Sequence, residues 1–522
     1  MLSHASANAE QPEPAPRRIG WRLFLTCWIV YTVHFSTNIV REIYPAMALG
    51  DHLSFRVDEY AHLHPDLFET EGYGWHIGNN PGASILAAIP YFVARPLIDP
   101  IVDAVRRHRQ AKGDVEPPSF DSPWPMQREF YARSWQHGHD IKFGLAAFVV
   151  QAMCMAPTSA LGVLAMFYGL RHALRSNRTA LWLSLLYAFG TPVFFRSGFL
   201  NHNMMLGHFA FMGFLTMWNP SGSLRWTVSH RFFLGGLAGG IALLFDYSGA
   251  VILMALFIYG IASRVSIESW SDGMRQGIWY VLGTLPPVLL LWFYQWKSFG
   301  HPLLPGQHWM PHVDWIEKGY QGYGFPQFML FVQLAFDYRF GLFVTCPLLL
   351  LIVGYPWLMR RGYPALPRRE AVAIAGMFLA FWIFFSGSNY TRLQFNTGLR
   401  YMAPMIPFLF LPAAVVLIRL SRNVIVVVAA ISLFHSWCLA MYREVECGPG
   451  ILDPIVKVFT QGITLPALTT LSRMEAYRTM VPRGPVLIGV FLFTAMVLYL
   501  VWRPHLFGAA GSTGQTIEQP SS

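Results

Sequence analysis

Long apolar runs alternate along this chain with short polar connectors. Runs near the roughly 20 residues that a helix needs to cross a bilayer fall at 20–39, 143–170, 179–197, 202–219, 232–246, 248–263, 276–296, 341–359, 371–388, 401–419, 423–442 and 485–502. These twelve segments predict an all-α polytopic membrane protein. Alternate connectors carry arginines: Arg17, Arg18 and Arg22; Arg171, Arg175 and Arg178; Arg225 and Arg231; Arg264 and Arg275; Arg360, Arg361, Arg368 and Arg369; Arg419 and Arg422; Arg503. Arginine-rich short loops mark the cytoplasmic side, which puts both termini there and predicts a multi-pass protein of the cell inner (plasma) membrane.

The opposite side then receives a very large first loop, about 40–142, and loops at about 297–340, 389–400 and 443–484. Pro81–Arg95 is apolar but only about 15 residues long and contains Pro90, short for a crossing. Counting it as a span would move every later arginine loop to the outside, so it is expected to be an interfacial or re-entrant helix. Arg106, Arg107, Arg109 and Lys112 then lie outside, as the weak charge bias of long loops permits. The runs 232–246 and 248–263 are separated only by Asp246-Tyr247-Ser248. An acid there faces protein or water rather than lipid, and the pair predicts a broken hairpin beside a cavity.

Composition agrees with the pattern. The chain is 54% hydrophobic and 13% charged, so its partner is the lipid bilayer. A net charge of +10 would suit nucleic acid, but the cations sit in short loops and serve orientation instead. Cys27, Cys154, Cys346 and Cys438 lie in or beside apolar runs and Cys447 in a polar loop, with no disulfide or metal pattern. Residues 1–19 are expected to be a cytoplasmic tail without a cleavage site, and the Gly/Ser/Thr/Gln-rich residues 508–522 a disordered one. Residues 20–420 and 421–507 divide the membrane region between them.

Candidate chemistry concentrates just after the first run. Residues 41–82 hold Glu42, Asp51, Asp58, Glu59, Asp66, Glu69 and Glu71. A carboxylate at the water–lipid boundary can accept a proton from a sugar or lipid hydroxyl. The candidates are Glu42, Asp58 and Asp66; the same acids could equally solvate a loop or pair with Arg41 and Arg56. His62, His64 and Asp66 have an H-x-H-x-D spacing that suits zinc or manganese without being specific, and local hydrogen bonding is the favoured reading.

Arg400 and Arg339 stand at the outer mouths of runs, with Arg392, Lys297, His202 and His308 on the same side. An arginine fork suits a phosphate or pyrophosphate headgroup, whereas snorkelling needs no substrate. Gly398 permits close backbone approach beside Arg400. Residues 299–312 read as a rigid loop able to cover a cavity, and Gly319–Gly324 (GYQGYG) as an aromatic segment able to stack on a sugar or to sit in an interfacial belt. There is no phosphate-binding Gly-rich loop, no G-x-S-x-G and no H-E-x-x-H. An ATP-driven pump and a cytoplasmic nucleotide-sugar donor are thereby disfavoured.

The order of motifs resembles a known superfamily. An acidic loop follows the first run; then come NNPGAS, GTPVFFRS, FGHPLLPGQ, RFGLFVTCPLLLL and GLRYMAPMIPFL. Over about residues 20–420 this layout is similar to the GT-C superfamily of polyprenyl-phosphate-dependent membrane glycosyltransferases, which includes protein O-mannosyltransferases and lipid A aminoarabinose transferases. The resemblance implies a GT-C-like fold and sugar transfer from a polyprenyl-phosphate donor to a glycan, lipid or protein hydroxyl on the extracytoplasmic face. Direct displacement with inversion would need neither metal nor cofactor.

The family's Gly-x-Arg-Tyr arginine falls on Arg400. Related bacterial sequences place an acid after Thr-Asn at the end of the first span, where this chain has Ile39. The base is then Glu42, or Asp58 or Asp66, or the chain is not catalytic. Arg400, Arg339, Lys297 and His202 would bind the donor phosphate, and Asp246, His308, Asn79 and Asn80 would line the cavity. The competing classes are a lipid or solute transporter or flippase, expected to show a second broken helix pair, and a non-catalytic assembly partner.

Overall fold

The computed structural model describes residues 16–503 except 115, 221, 223, 313, 315–317, 321, 363–365, 393–397, 443–449 and 482. Cys447 and the tail 508–522 lie outside the described residues, as do residues 1–15 of the N-terminal tail. The fold is helical, with one two-stranded antiparallel hairpin, Leu67–Thr70 with Gly74–Ile77. Among the described residues seven helices are long and apolar enough to cross a membrane: Gly82–Lys112, His139–Leu174, Val228–Phe245, Trp270–Phe299, Arg368–Ser386, Arg422–Met441 and Gly484–Trp502. Gly249–Val265, Pro347–Arg360 and Ala403–Leu417 are shorter apolar helical segments. The chain is a multi-pass membrane protein.

Several expected spans change shape. The first helix is Pro16–Val33, and 34–39 are not helical. Ser36 N–H donates instead to the Gly198 carbonyl at 2.7 Å, drawing the chain across the end of the bundle. Glu42 therefore follows an irregular stretch rather than the end of a helix. The run 341–359 is not one helix. It divides into Leu342–Thr345, a 3-10 stretch Pro347–Gly354 and Tyr355–Arg360, because prolines at 347 and 356 supply no N–H to a regular ladder. At the centre, every residue of helix Ile406–Leu417 is buried, as expected of a helix that is apolar all round.

The 36-residue helix His139–Leu174 contains a π turn at Gln151–Met155. Buried Gln151 uses the irregularity to donate to the carbonyls of Tyr31 at 2.9 Å and Ser197 at 2.7 Å. Those two bonds tie three helices together directly beneath the acidic loop.

Pro81–Arg95 is not a 15-residue element. It opens a continuous 31-residue helix, Gly82–Lys112, that runs through Pro90, Pro96 and Pro100. Length and composition would allow it to cross a bilayer, but its two ends meet the same side of the bundle. A Cβ on Gly82 would lie 2.6 Å from the Leu244 carbonyl oxygen at the end of Val228–Phe245. At the other end, Arg109 makes two 2.8 Å bonds to Asp140, in the first turn of His139–Leu174. Val228–Phe245 ends on the side where His139–Leu174 begins, since Asn177–Phe189 and His202–Trp218 intervene as two antiparallel passes. Gly82–Lys112 thus runs along that side, with Ile89, Phe92, Val93, Leu97 and Ile101 exposed. An apolar stripe of this kind suits the lipid interface.

The two large polar loops are joined on the same side. Phe120 bridges Met474 in antiparallel register, Asp121 N–H donates to the Arg473 carbonyl at 3.0 Å, and Glu475 N–H donates to the Ser119 carbonyl at 2.9 Å.

Candidate active site

Beneath this layer lies a cavity of about 300 Å³. Its walls are the irregular segment 38–42, the turn 64–66, the corner at 199–203 and Arg400. Four of the expected residues, Glu42, Asp66, His202 and Arg400, converge here from positions far apart in the chain.

Glu42 is 3% exposed. Its Oε1 accepts from Asn79 Nδ2 at 2.6 Å and lies 2.8 Å from His202 Nδ1, while its carbonyl accepts from Ser84 Oγ at 2.8 Å. Burial opposes ionisation of Glu42, but the hydrogen bond with His202 and the nearby Arg41 outweigh it and hold the carboxyl far below its ordinary range. His202 is fixed in turn because Asn201 caps its helix, accepting the Met204 N–H at 2.9 Å. The other ring nitrogen, Nε2, is 3.9 Å from Asp246 Oδ2. The break between Val228–Phe245 and Gly249–Val265 thus places Asp246 behind His202, although Asp246 does not itself line the cavity. Asn80 braces the same break by donating to the Leu243 carbonyl at 2.7 Å.

Asp66 forms an ion pair with Arg41. Burial resists its ionisation, yet Arg41, then His64 and more remotely Arg400, lower its pKa. His64 Nδ1 accepts the Asp66 N–H at 3.0 Å, and His62 packs edge-on against Trp75 at 4.5 Å. The H-x-H-x-D spacing is therefore used for a local turn. Among the described residues the carboxylate–histidine group with ligand-like spacing is Asp51, His52 and Glu59. Lys142 Nζ sits within it, 2.9 Å from Asp51 and 3.1 Å from Glu59.

Arg400 reaches the wall because the two residues before it are pinned. Fully buried Arg196 donates to the carbonyls of Leu399 and, at 2.9 Å, Gly398. Gly398 N–H donates to the Arg339 carbonyl at 3.0 Å. Gly398 has φ +81°, a conformation that favours glycine, and a Cβ there would lie 3.1 Å from the Phe195 ring, a tight contact. The Arg400 guanidinium lies 4.8 Å from the Tyr401 ring centroid. Tyr401 packs on Tyr390 at 5.7 Å, and Tyr390 in turn on Tyr323 at 5.2 Å.

Other expected residues stand apart. Asp58 is on the surface, pairing with Arg56 at 2.7 Å and accepting the Trp75 N–H at 2.7 Å. The Arg339 guanidinium turns to Asp337 at 3.3 Å, so its backbone, not its side chain, serves the site. Lys297 lies over Trp296 at 4.6 Å, and exposed His308 packs against Trp309 at 5.2 Å. The loop 299–312 packs on the hairpin, with Gly306 against Gly78, and does not line the cavity. Arg196, Asn201 and Asn203 line it without having been anticipated. The signal for Arg196 was an arginine inside an apolar run, at a place where no loop required a charge.

The class is defined at this point: an all-α polytopic membrane protein with an acid–histidine–arginine cavity at one end of its bundle. Residues 118–296 match the family described as dolichyl-phosphate-mannose-protein mannosyltransferase. This agrees with the resemblance to GT-C membrane glycosyltransferases read from the motifs. No curated protein sequence matches the chain. Among solved structures, ArnT from Cupriavidus metallidurans in the apo state is 14% identical, with 92% of this chain and 74% of that one covered and a TM-score of 0.48. The same protein bound to undecaprenyl phosphate gives 16%, 92%, 75% and 0.48. The Archaeoglobus fulgidus oligosaccharyltransferase in the apo form gives 14%, 81%, 55% and 0.39.

Proposed function

We propose that the chain is a GT-C-type glycosyltransferase, moving a sugar from a polyprenyl phosphate to an acceptor hydroxyl on the extracytoplasmic face. The observation that carries this reading is the meeting of Glu42, His202, Asp66 and Arg400 in one cavity, together with the family match over 118–296. The acceptor's oxygen attacks the anomeric carbon as the bond to the lipid phosphate breaks, with inversion. Glu42 is held by Asn79, His202 and Arg41 and so is a better orienting carboxylate than a base. The acceptor proton goes to His202 Nε2, and Glu42 stabilises the imidazolium that forms, a base-and-orienter arrangement. Asp66, neutralised by Arg41, is held in reserve.

The charge that develops on the departing phosphate is met by Arg400, whose fork suits two phosphate oxygens. An apolar cavity of about 310 Å³, lined by Phe35, Phe130, Phe143, Leu145 and Leu471, adjoins the polar one across Ile39. It is of the right character for the first isoprene units of a donor entering from the bilayer.

The test is transfer from radiolabelled polyprenyl-phosphate sugars in membranes carrying the wild type, Glu42→Gln, His202→Gln, Asp66→Asn and Arg400→Ala. Loss of transfer in the Glu42, His202 and Arg400 variants supports the assignment. Wild-type rates in all of them would overturn the site. No transfer by the wild type from any such donor, with lipid flipping detected instead, would favour a transporter.

A further inference from the structure

A second candidate binding site lies at the end of the bundle opposite the acidic cavity. Helices Gly249–Val265 and Arg368–Ser386 pack against each other and leave a groove of about 720 Å³ between them. Its walls are small and apolar: Ala255, Ile258, Ala262, Val372, Gly376 and Ala380. Ile258 and Val372 are 60% and 63% exposed, so the groove opens sideways, toward lipid. Its polar end is formed by Arg368 and Arg369.

The two arginines differ. Arg369 is committed to the fold, donating to buried Glu370 at 2.9 Å and to the Ser263 carbonyl at 3.2 Å. Glu370 also accepts from Tyr259 at 3.0 Å. Nearby Arg264 and Arg275 are balanced by Glu268 and by Asp272, which lies 2.8 Å from Arg264 and 3.3 Å from Arg275. Arg368 is exposed and forms no ion pair among the described residues. Net positive charge thus remains at one end of a chain-shaped apolar groove. Basic mouths between membrane helices of this form match anionic lipid headgroups, and an arginine fork matches a phosphate.

We propose that this groove binds one anionic phospholipid, its phosphate on Arg368 and one acyl chain along Ala262, Gly376 and Ala380. The site is independent of the sugar-transfer reading, because no residue of it lines the acidic cavity. Phosphatidylcholine presents the same phosphate, but its choline cation cancels the headgroup charge and is itself repelled by the basic mouth, whereas phosphatidylglycerol keeps its net negative charge. Selectivity for headgroup charge is therefore the distinguishing property.

Gly376 offers a clean variant, since a Cβ built there meets nothing within 4 Å. The purified full chain, in neutral detergent, is titrated with dioleoylphosphatidylglycerol, dioleoylphosphatidylcholine or inorganic phosphate, and bound lipid is read by native mass spectrometry. Wild type is expected to retain one phosphatidylglycerol at least about ten-fold better than phosphatidylcholine, a difference of about 1.4 kcal/mol. Arg368→Gln is expected to bring the ratio near one. Gly376→Phe is expected to lower retention of both lipids while leaving the melting temperature of the lipid-free protein within a few degrees. Equal retention of the two lipids by wild type would overturn the proposal. So would phosphatidylglycerol retention that survives Gly376→Phe, or that is displaced by millimolar phosphate alone, either of which would indicate a headgroup-only contact.

Discussion

Replacing Glu42 with Gln removes one negative charge from the centre of the acidic cavity and changes the shape of the side chain little. Gln can still accept from Asn79, now at 2.6 Å. It cannot serve as the anionic partner of His202, now at 2.8 Å, nor oppose Arg41 at 3.9 Å. A hydrogen bond to a charged group contributes about 1.5–3 kcal/mol, so loss of the His202 contact sets a stability cost of that order. The chemical cost is larger. Proton acceptance by a positioned group is worth about 10²–10⁴ in rate, or roughly 2.7–5.4 kcal/mol at 1.36 kcal/mol per decade, and His202 depends on Glu42 for both its orientation and the stability of its protonated form. The expected result is a 10²–10⁴-fold fall in transfer, mostly in kcat, with donor KM nearly unchanged because Arg400 is untouched. The assay is initial-rate transfer from a labelled polyprenyl-phosphate sugar, beside a thermal unfolding curve in detergent. Transfer within three-fold of wild type by a folded Glu42→Gln protein would refute the role given to the Glu42–His202 pair.

Arg196→Met should leave the Gly398 and Leu399 carbonyls without their buried donor, at about 1–3 kcal/mol each. It should weaken donor phosphate binding through Arg400, read as a rise in KM that Arg196→Lys partly rescues. Gly398→Ala forces an alanine to φ +81° at a cost of about 1–2 kcal/mol, visible as a lowered melting temperature, with transfer falling as Arg400 shifts. Arg109→Ala should cost about 3–5 kcal/mol by stranding buried Asp140, and limited proteolysis should then cut near 113–124 faster. Glu59 has its pKa lowered to about 2, chiefly by its hydrogen bond from His139 against burial, with Lys142 adding to it. A depressed carboxyl contributes stability that is full above the unfolded value near 4.3 and lost as pH falls through the folded one. Melting temperature should therefore drop between about pH 4.5 and 2, and Glu59→Gln should flatten that part of the curve; an unchanged slope in the variant would sink the assignment.

Much of the architecture was legible because the bilayer enforces a one-dimensional rule: a spanning segment must satisfy its backbone internally and present apolar side chains. Run length therefore located the helices, and the broken pair around Asp246 could be read directly. The elements that departed were those where proline or tertiary hydrogen bonds competed with helix formation. The 341–359 run split at its prolines, and the first span ended at Val33 because Gly198 offers Ser36 an alternative partner. The interfacial helix proved twice as long as hydropathy suggested. Its charges are met partly within the helix, by Asp99 for Arg95 and Asp103 for Arg106, and partly across the chain, by Asp140 for Arg109; the pairing at a distance leaves no local signature.

The candidate site divides in the same way. Glu42, Asp66, His202 and Arg400 were legible as residues because charge is rare in such a chain and so each one is informative. Sequence also fixed the membrane class and the relation to GT-C proteins. Folding alone decided which acids meet. Asp58 lies sixteen residues beyond Glu42 and remains at the surface with Arg56, while Asp66, farther along, turns back to Arg41. Folding also recruited Arg196 as the support for Arg400, and gave Glu42 a histidine from 160 residues away. Hydropathy records where each segment sits across the membrane. The lateral packing that brings segments together depends on side-chain contacts between distant helices, which only the tertiary structure contains.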